Sequence, residues 1–352
     1  MKFNARRPKP SQGRMASLRR SRRSHGVRRR RWILFLAFVL IASLGITASE
    51  ASSPRGLFRI GTGGLTGVYY PIGKLIAEGL TGKGSSGVPG IIGIAQNSAG
   101  SVENVRAVVA GEIEAGLVQA DVASWAFHGE EVFVGDEDAR ALRAIASLYP
   151  EKFQIVTRRD ADIRSVPDLR DKRISIDEIG SGTLAVMRIV LAAHGMSEGD
   201  MQPVYLKPVF THDKMVKGDL QGFAMMAGAP MKAVTELSDL GITLVPIAPD
   251  KARAISARYP YLVPGTIPAN VYDGVPATPT LQVHALLVVS AAMEDALAYQ
   301  VTKALWSDRT MALLSTGHAQ GRAIRLETAL EGLSLPLHDG AAKYYRERGM
   351  QP

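Results

Sequence analysis

The chain has 352 residues, 46% of them hydrophobic and none of them cysteine, a length that suits about two domains and a composition that excludes disulfides, thiol chemistry and a Cys-linked lipid. The formal net charge of +9 suggests a polyanionic partner, but residues 1–31 hold 13 Lys/Arg and no acid, leaving 29 basic and 32 acidic residues from Ser52 onward. The folded part is slightly acidic, which argues against a nucleic-acid partner.

The N-terminal tail has the layout of a secretory signal. Arg28-Arg29-Arg30-Arg31 closes a basic region, an apolar stretch begins at Trp32, and Ser49-x-Ala51 fits a small-x-small cleavage site. Residues 1–51 are therefore expected to be a signal peptide, cut after Ala51, that sends the rest to the periplasm. An uncleaved membrane anchor is the alternative; the apolar run, about 15 residues, falls short of the roughly 20 that span a bilayer. Arg22-Arg23 lies too far from the apolar run for a good twin-arginine signal.

Leu57-Phe58-Arg59-Ile60 reads as a strand, 61–67 as a glycine loop, and Val68, Ile72, Leu75, Ile76 and Leu80 as one face of a helix. After a Gly/Ser-rich stretch comes a strand near Ile91-Ile92-Gly93-Ile94. Asn97-Ser98-Ala99-Gly100-Ser101 then opens a second helix, with Ser101 as its expected N-cap. A strand at 115–119 and a helix at 121–127 follow. Residues 142–149 and 153–157 read as two strand segments joined by Pro150-Glu151, and Ser165 starts a turn into a short helix.

The pattern then restarts. Arg173-Ile174-Ser175-Ile176 is a strand, Gly180-Ser181-Gly182-Thr183 a loop, and Leu184, Met187, Val190 and Leu191 a helix face ended by Gly195. Residues 111–120 align without gaps on 218–227, both reading Gly-acid, apolar strand, Ala. Beyond a Pro-rich connection come a strand at 283–289, a helix at 295–315 and another near the C-terminus. One βα arrangement used twice predicts an α/β, two-lobed clamshell with parallel sheets under helices. Lobe 1 is expected over 52–150, rejoined by 282–352, and lobe 2 over 151–281.

The glycine loop does not fit nucleotide motifs: a dinucleotide fingerprint needs Gly where Thr66 stands, and a phosphate loop needs Gly and Ser/Thr where Val68 and Leu75 stand. Free N–H groups at a helix start hold an anion without a charged side chain, and glycine lets it come close. Three such starts occur, at 61–67, 98–101 and 181–183. Ordinary capping explains any one of them; three in a duplicated clamshell favour a ligand cleft, because parallel sheets bind ligands at the C-terminal ends of their strands. Gly180-Ser181-Gly182 lacks the G-x-S-x-G pattern because Ile179 precedes it, and the six histidines after the tail are at least 18 residues apart, so neither a nucleophile nor a metal site is indicated. No cofactor is implied.

The segment Ile60-Gly61-Thr62-Gly63-Gly64-Leu65-Thr66-Gly67-Val68-Tyr69-Tyr70-Pro71 resembles the opening motif of the TAXI family, solute receptors of tripartite ATP-independent periplasmic (TRAP) transporters. The resemblance continues through Gly100-Ser101-Val102-Glu103-Asn104, Val118-Gln119-Ala120-Asp121, Leu148-Tyr149-Pro150-Glu151, Gly180-Ser181-Gly182-Thr183, Ala227-Gly228-Ala229-Pro230 and Pro336-Leu337-His338, spanning roughly 57–348. It implies a type II periplasmic-binding-protein fold, no enzymatic activity, a small organic anion ligand such as glutamate or a related carboxylate, and docking on the permease subunits of a membrane transporter. A sensory module of the same fold is the alternative. The ligand residues it implies are Thr62, Gly63, Gly64, Tyr69, Tyr70, Ser98, Ser101, Gln119, Ser181, Gly182, Thr183 and Gly228. Two positions depart from the family: Asp177-Glu178-Ile179 stands where small residues and Pro are usual, placing two carboxylates beside an anion site, and His338-Asp339-Gly340-Ala341 stands where His-Pro-Gly-Ala is familiar.

Overall fold

The computed structural model describes residues 56–83 and 87–351; the expected signal segment and its cleavage point lie outside them. β1 (Gly56–Gly61) leads through the glycine loop into α1 (Tyr69–Leu80), and β2 (Ile91–Gln96) into α2 (Ser101–Val109). β3 (Ala115–Gln119) and α3 (Ala120–His128) follow, then the long β4 (Leu142–Arg158). The second set is β5 (Arg173–Ser175), α4 (Gly182–Ala193), β6 (Gln202–Val204), α5 (Thr211–Lys217) and β7 (Gly222–Ala227). α6 (Lys232–Thr235), β8 (Ile242–Leu244), α7 (Pro249–Arg258) and β9 (Val263–Ile267) lead to β10 (Thr278–Ser290). The chain ends in α8 (Asp295–Leu305), α9 (Asp308–Gly317) and α10 (Asp339–Glu347).

The strand order is β2-β1-β3-β10-β4-β7-β5-β6, with β8 on β4 and β9 on β10. It reads the same from either end. β1 lies parallel between β2 and β3, as β5 does between β6 and β7. β10 runs antiparallel to β3, and β4 antiparallel to β7. The internal repeat at 111–120 and 218–227 therefore places β3 and β7 at equivalent positions. Phe58 and Ile60 of β1 and Ile72, Ile76 and Leu80 of α1 are fully buried; each such side chain stabilises the fold by about 1.5–3 kcal/mol.

Three details differ from the sequence reading. β4 is one strand, not two, because its ladder to β10 continues past Pro150 through Glu151 and Lys152 to Val283 and Gln282. The two halves consequently share one hydrogen-bonded sheet through β4 and β10 instead of having separate sheets. The helix expected at 295–315 is two helices, broken at Trp306-Ser307, where the Ser307 hydroxyl accepts the Thr310 N–H at 3.3 Å and starts α9. Among the described residues no helix is long and apolar enough to cross a membrane.

Candidate ligand-binding cleft

Parallel strands present their C-terminal ends on one side, so the loops after β1, β2 and β3 face those after β5, β6 and β7 across a narrow cleft of about 30 Å³. The two sides touch. The Glu103 N–H of α2 donates to Gly180 O at 3.1 Å. Gly100 and Gly180 have φ of +117° and +92°, a region closed to most side chains. A Cβ on Gly100 would lie 3.8 Å from Ser181 Cα. Lys207 follows β6 and Asn97 follows β2, at equivalent places in the two halves. Lys207 Nζ donates to Asn97 Oδ1 at 3.1 Å and Ser98 O at 3.3 Å, and pairs with Glu178 at 3.1 Å.

Of the residues singled out from sequence, Gly63, Gly64, Tyr69 and Ser101 line the cleft from one side, Ser181, Gly182 and Thr183 from the other, and Gln119 between them. A Cβ on Gly182 would meet Gln119 Oε1 at 2.1 Å, so these two are already in contact. Four residues do not line it. The Thr62 hydroxyl donates to Gln96 O at 2.7 Å and ties β1 to β2. The Ser98 hydroxyl donates to Asn104 Oδ1 at 2.7 Å and accepts the Gly100 N–H at 3.0 Å. Tyr70 stands half-buried outside the lining, and a Cβ on Gly228 would meet Gln320 at 2.7 Å.

The caps also differ from expectation. Gly100, not Ser101, is the N-cap of α2, and the Ser101 hydroxyl accepts the Gln119 N–H at 3.1 Å. Ser181 does cap α4, accepting the Leu184 N–H at 3.0 Å. The Thr183 hydroxyl accepts the Met226 N–H of β7 at 3.1 Å. α1 starts at Val68 with no side-chain cap, leaving its first N–H groups to the cleft side.

Carboxyl groups supply the rest of the wall: Glu151, Asp177 and Glu178 all line it, with Lys207. Glu151 is 1% exposed and accepts the Tyr69 O–H at 2.8 Å. Burial pushes its carboxyl well above the usual range, the Tyr69 bond pulls it back, and nearby Asp121 pushes it up again. Asp121, also buried, is raised to about 7 by loss of solvent, against the pull of the Val122 N–H and Gln119. Asp177 sits at φ +67° and accepts the Glu178 N–H at 2.9 Å. Burial raises it to about 7, partly offset by the Glu178 N–H and by hydrogen bonds with Thr183 and Ser181.

Glu151, Lys207 and Met225 were missed as lining residues. The sequence reading makes Glu151 a connector between two strand segments; the available cue is an acid inside an otherwise apolar strand. Lys207 has a weaker cue, a cation just beyond a parallel strand. Among the described residues no three His, Asp or Glu side chains gather as a metal site.

Two similar α/β halves that meet on one cleft through facing loops give the chain the two-lobed architecture of periplasmic binding proteins. The chain belongs to the NMT1-like family, which it matches over residues 60–349. Among solved structures it is similar to the periplasmic aliphatic sulphonate binding protein SsuA from Escherichia coli, at 16% identity and a TM-score of 0.42, with 84% of each chain covered. The alkanesulfonate-binding protein SsuA from Xanthomonas axonopodis pv. citri, bound to MOPS, matches at 15% identity and a TM-score of 0.38, over 86% of this chain and 96% of that one. A putative L-cystine ABC transporter from Listeria monocytogenes matches at 13% identity and a TM-score of 0.45, over 77% and 99%.

Proposed function

We propose that this chain is the periplasmic solute receptor of a TRAP transporter and captures a small organic anion, a carboxylate, for the permease subunits in the membrane. The observation that carries the reading is the meeting of two helix starts on one cleft. α2 begins at Ser101 and α4 at Gly182, and both starts line the same space with the uncapped end of α1 close by. Helix starts attract negative charge through their free N–H groups. The TRAP assignment rests on the ordered resemblance of the motifs from Ile60 to His338. The lobes in this reading are 52–150 with 282–352, and 151–281, hinged on β4 and β10. Gly63, Gly64, Tyr69, Ser101, Gln119, Ser181 and Gly182 are the proposed ligand contacts.

Mass spectrometry of small molecules released from the purified protein, followed by calorimetry with the compound found, tests the reading. An anion that binds saturably and is recovered unchanged is the expected result. Recovery of a chemically altered compound, or no saturable binding, overturns it. Co-expression with a TRAP permease should give uptake of that compound; uptake only with an ATP-driven permease would refute the TRAP assignment while leaving solute binding intact.

A further inference from the structure

The helix starts offer an incoming anion their N–H groups, yet the wall between them is acidic. Glu151, Asp177 and Glu178 line it together with a single lysine. Glu178 takes up that lysine, Lys207, at 3.1 Å. Neither Glu151 nor Asp177 belongs to any ion pair among the described residues. Both are shut off from solvent, at 1% and 5% exposed. An unpaired carboxylate is so costly in such a place that the group binds a proton instead.

A second layer stands behind the first. Tyr69, at the head of α1, donates its hydroxyl to Glu151 at 2.8 Å. Asp121, in the first turn of α3, lies close enough to the same glutamate to raise it by like charge. Gln119 Nε2 donates to Asp121 Oδ1 at 3.3 Å. The other Asp121 oxygen and the Tyr149 hydroxyl have no hydrogen bond, and both residues are 1% exposed. The titratable groups facing Glu151 are therefore Tyr69, Tyr149 and Asp121, none of them a cation. Those facing Asp177 are Glu178 and the hydroxyls of Ser181 and Thr183 at the head of α4. Neighbouring carboxyls in so poorly hydrated a space do not all ionise, and an anion bound beside them makes ionisation harder still.

We propose that the cleft captures its anion together with a proton from solvent, which the approaching negative charge draws onto Asp177 at the head of α4 and onto the Asp121–Glu151 pair beneath Tyr69. Protonated, Asp177 presents a donor where it would otherwise repel, so an acidic wall and two helix starts serve one ligand. This rests on the anion-receptor reading of the same cleft and adds the proton as a second, coupled ligand. Asp121 and Asp177 stand at about 7 in the fold, and a bound anion raises them further. Affinity is then full below about 7 and falls as pH rises above it, by roughly tenfold per pH unit for each proton taken up. A small carboxylate is itself ionised throughout this range, so the dependence reports the protein's groups.

The test is calorimetry on the mature chain with the anion recovered from native protein, at about pH 6 and about pH 8.5. The expected result is binding weaker by roughly tenfold or more at the higher pH. At that pH the heat should also differ between phosphate and Tris, which release protons with different enthalpies. Asp177→Asn and Asp121→Asn, the neutral isosteres, should each flatten the pH dependence and hold or improve affinity at the higher pH. Infrared spectra of the ligand-free chain at about pH 7.5 should show the C=O stretch of protonated carboxyl groups, diminished in Glu151→Gln; absence of that band overturns the proposal even where a variant folds poorly. Equal affinity at both pH values with no dependence on buffer overturns it and leaves the receptor reading standing. So does a pH dependence that persists unchanged in both asparagine variants. If native protein carries no anion and binds none at either pH, the receptor reading falls and the proposal with it.

Discussion

Replacing Thr183 with valine keeps the side-chain volume and removes one hydroxyl. That hydroxyl accepts the Met226 N–H at 3.1 Å and lies 3.6 Å from Met225 Sδ, joining the first turn of α4 to β7. Thr183 is 2% exposed, so in the valine variant water does not replace it and the Met226 amide loses its acceptor. An orphaned buried donor costs about 1–3 kcal/mol. At about 2–4 °C per kcal/mol for a chain of this order of size, ligand-free Thr183→Val should melt several degrees below wild type in scanning calorimetry. Thr183→Ser retains the hydroxyl and should recover most of the loss. If the valine variant melts with wild type while ligand affinity falls, the hydroxyl serves the ligand and the structural argument is refuted.

Buried Asp121, raised to about 7 in the fold, holds its proton there more firmly than in the unfolded chain. Its contribution is fully present below the unfolded carboxyl range of about 4 and is lost as pH rises through about 7. Asp121→Asn should therefore gain stability relative to wild type between pH 5.5 and pH 7.5, by roughly 2–4 °C for each kcal/mol recovered; a constant difference between the two melting curves sinks the assignment. Lys207→Met removes contacts to Asn97, Ser98 and Glu178 and should weaken ligand binding by about tenfold, equivalent to about 1.4 kcal/mol, with a larger radius of gyration in solution scattering; unchanged scattering and affinity would show that the lysine does not hold the halves together. N-terminal sequencing of periplasmic protein should begin near Ser52, and an intact Met1 on soluble protein would refute cleavage.

Much of this molecule is written in local pattern. Apolar alternation and helical spacing place β1, α1 and α4 close to their observed bounds, because burying one face requires a fixed period. The repeat of 111–120 at 218–227 discloses the symmetric strand order, because the same segment must pair the same way twice. The glycines at 100 and 180 mark where the halves approach, because only a residue without Cβ adopts those backbone angles readily. Which polar groups face the cleft is not local. Thr62 and Ser98 have the chemistry of ligand contacts, yet strand partners and Asn104 take up their hydroxyls. Thr183 is taken up by Met226, 43 positions further along the chain. Glu151 becomes a cleft residue only because β4 runs unbroken past Pro150 and carries its carboxyl under Tyr69, 82 positions away. A side chain's capacity to bind is set by its own atoms. Whether that capacity is spent on the fold or left for a ligand depends on neighbours that only the tertiary structure brings together.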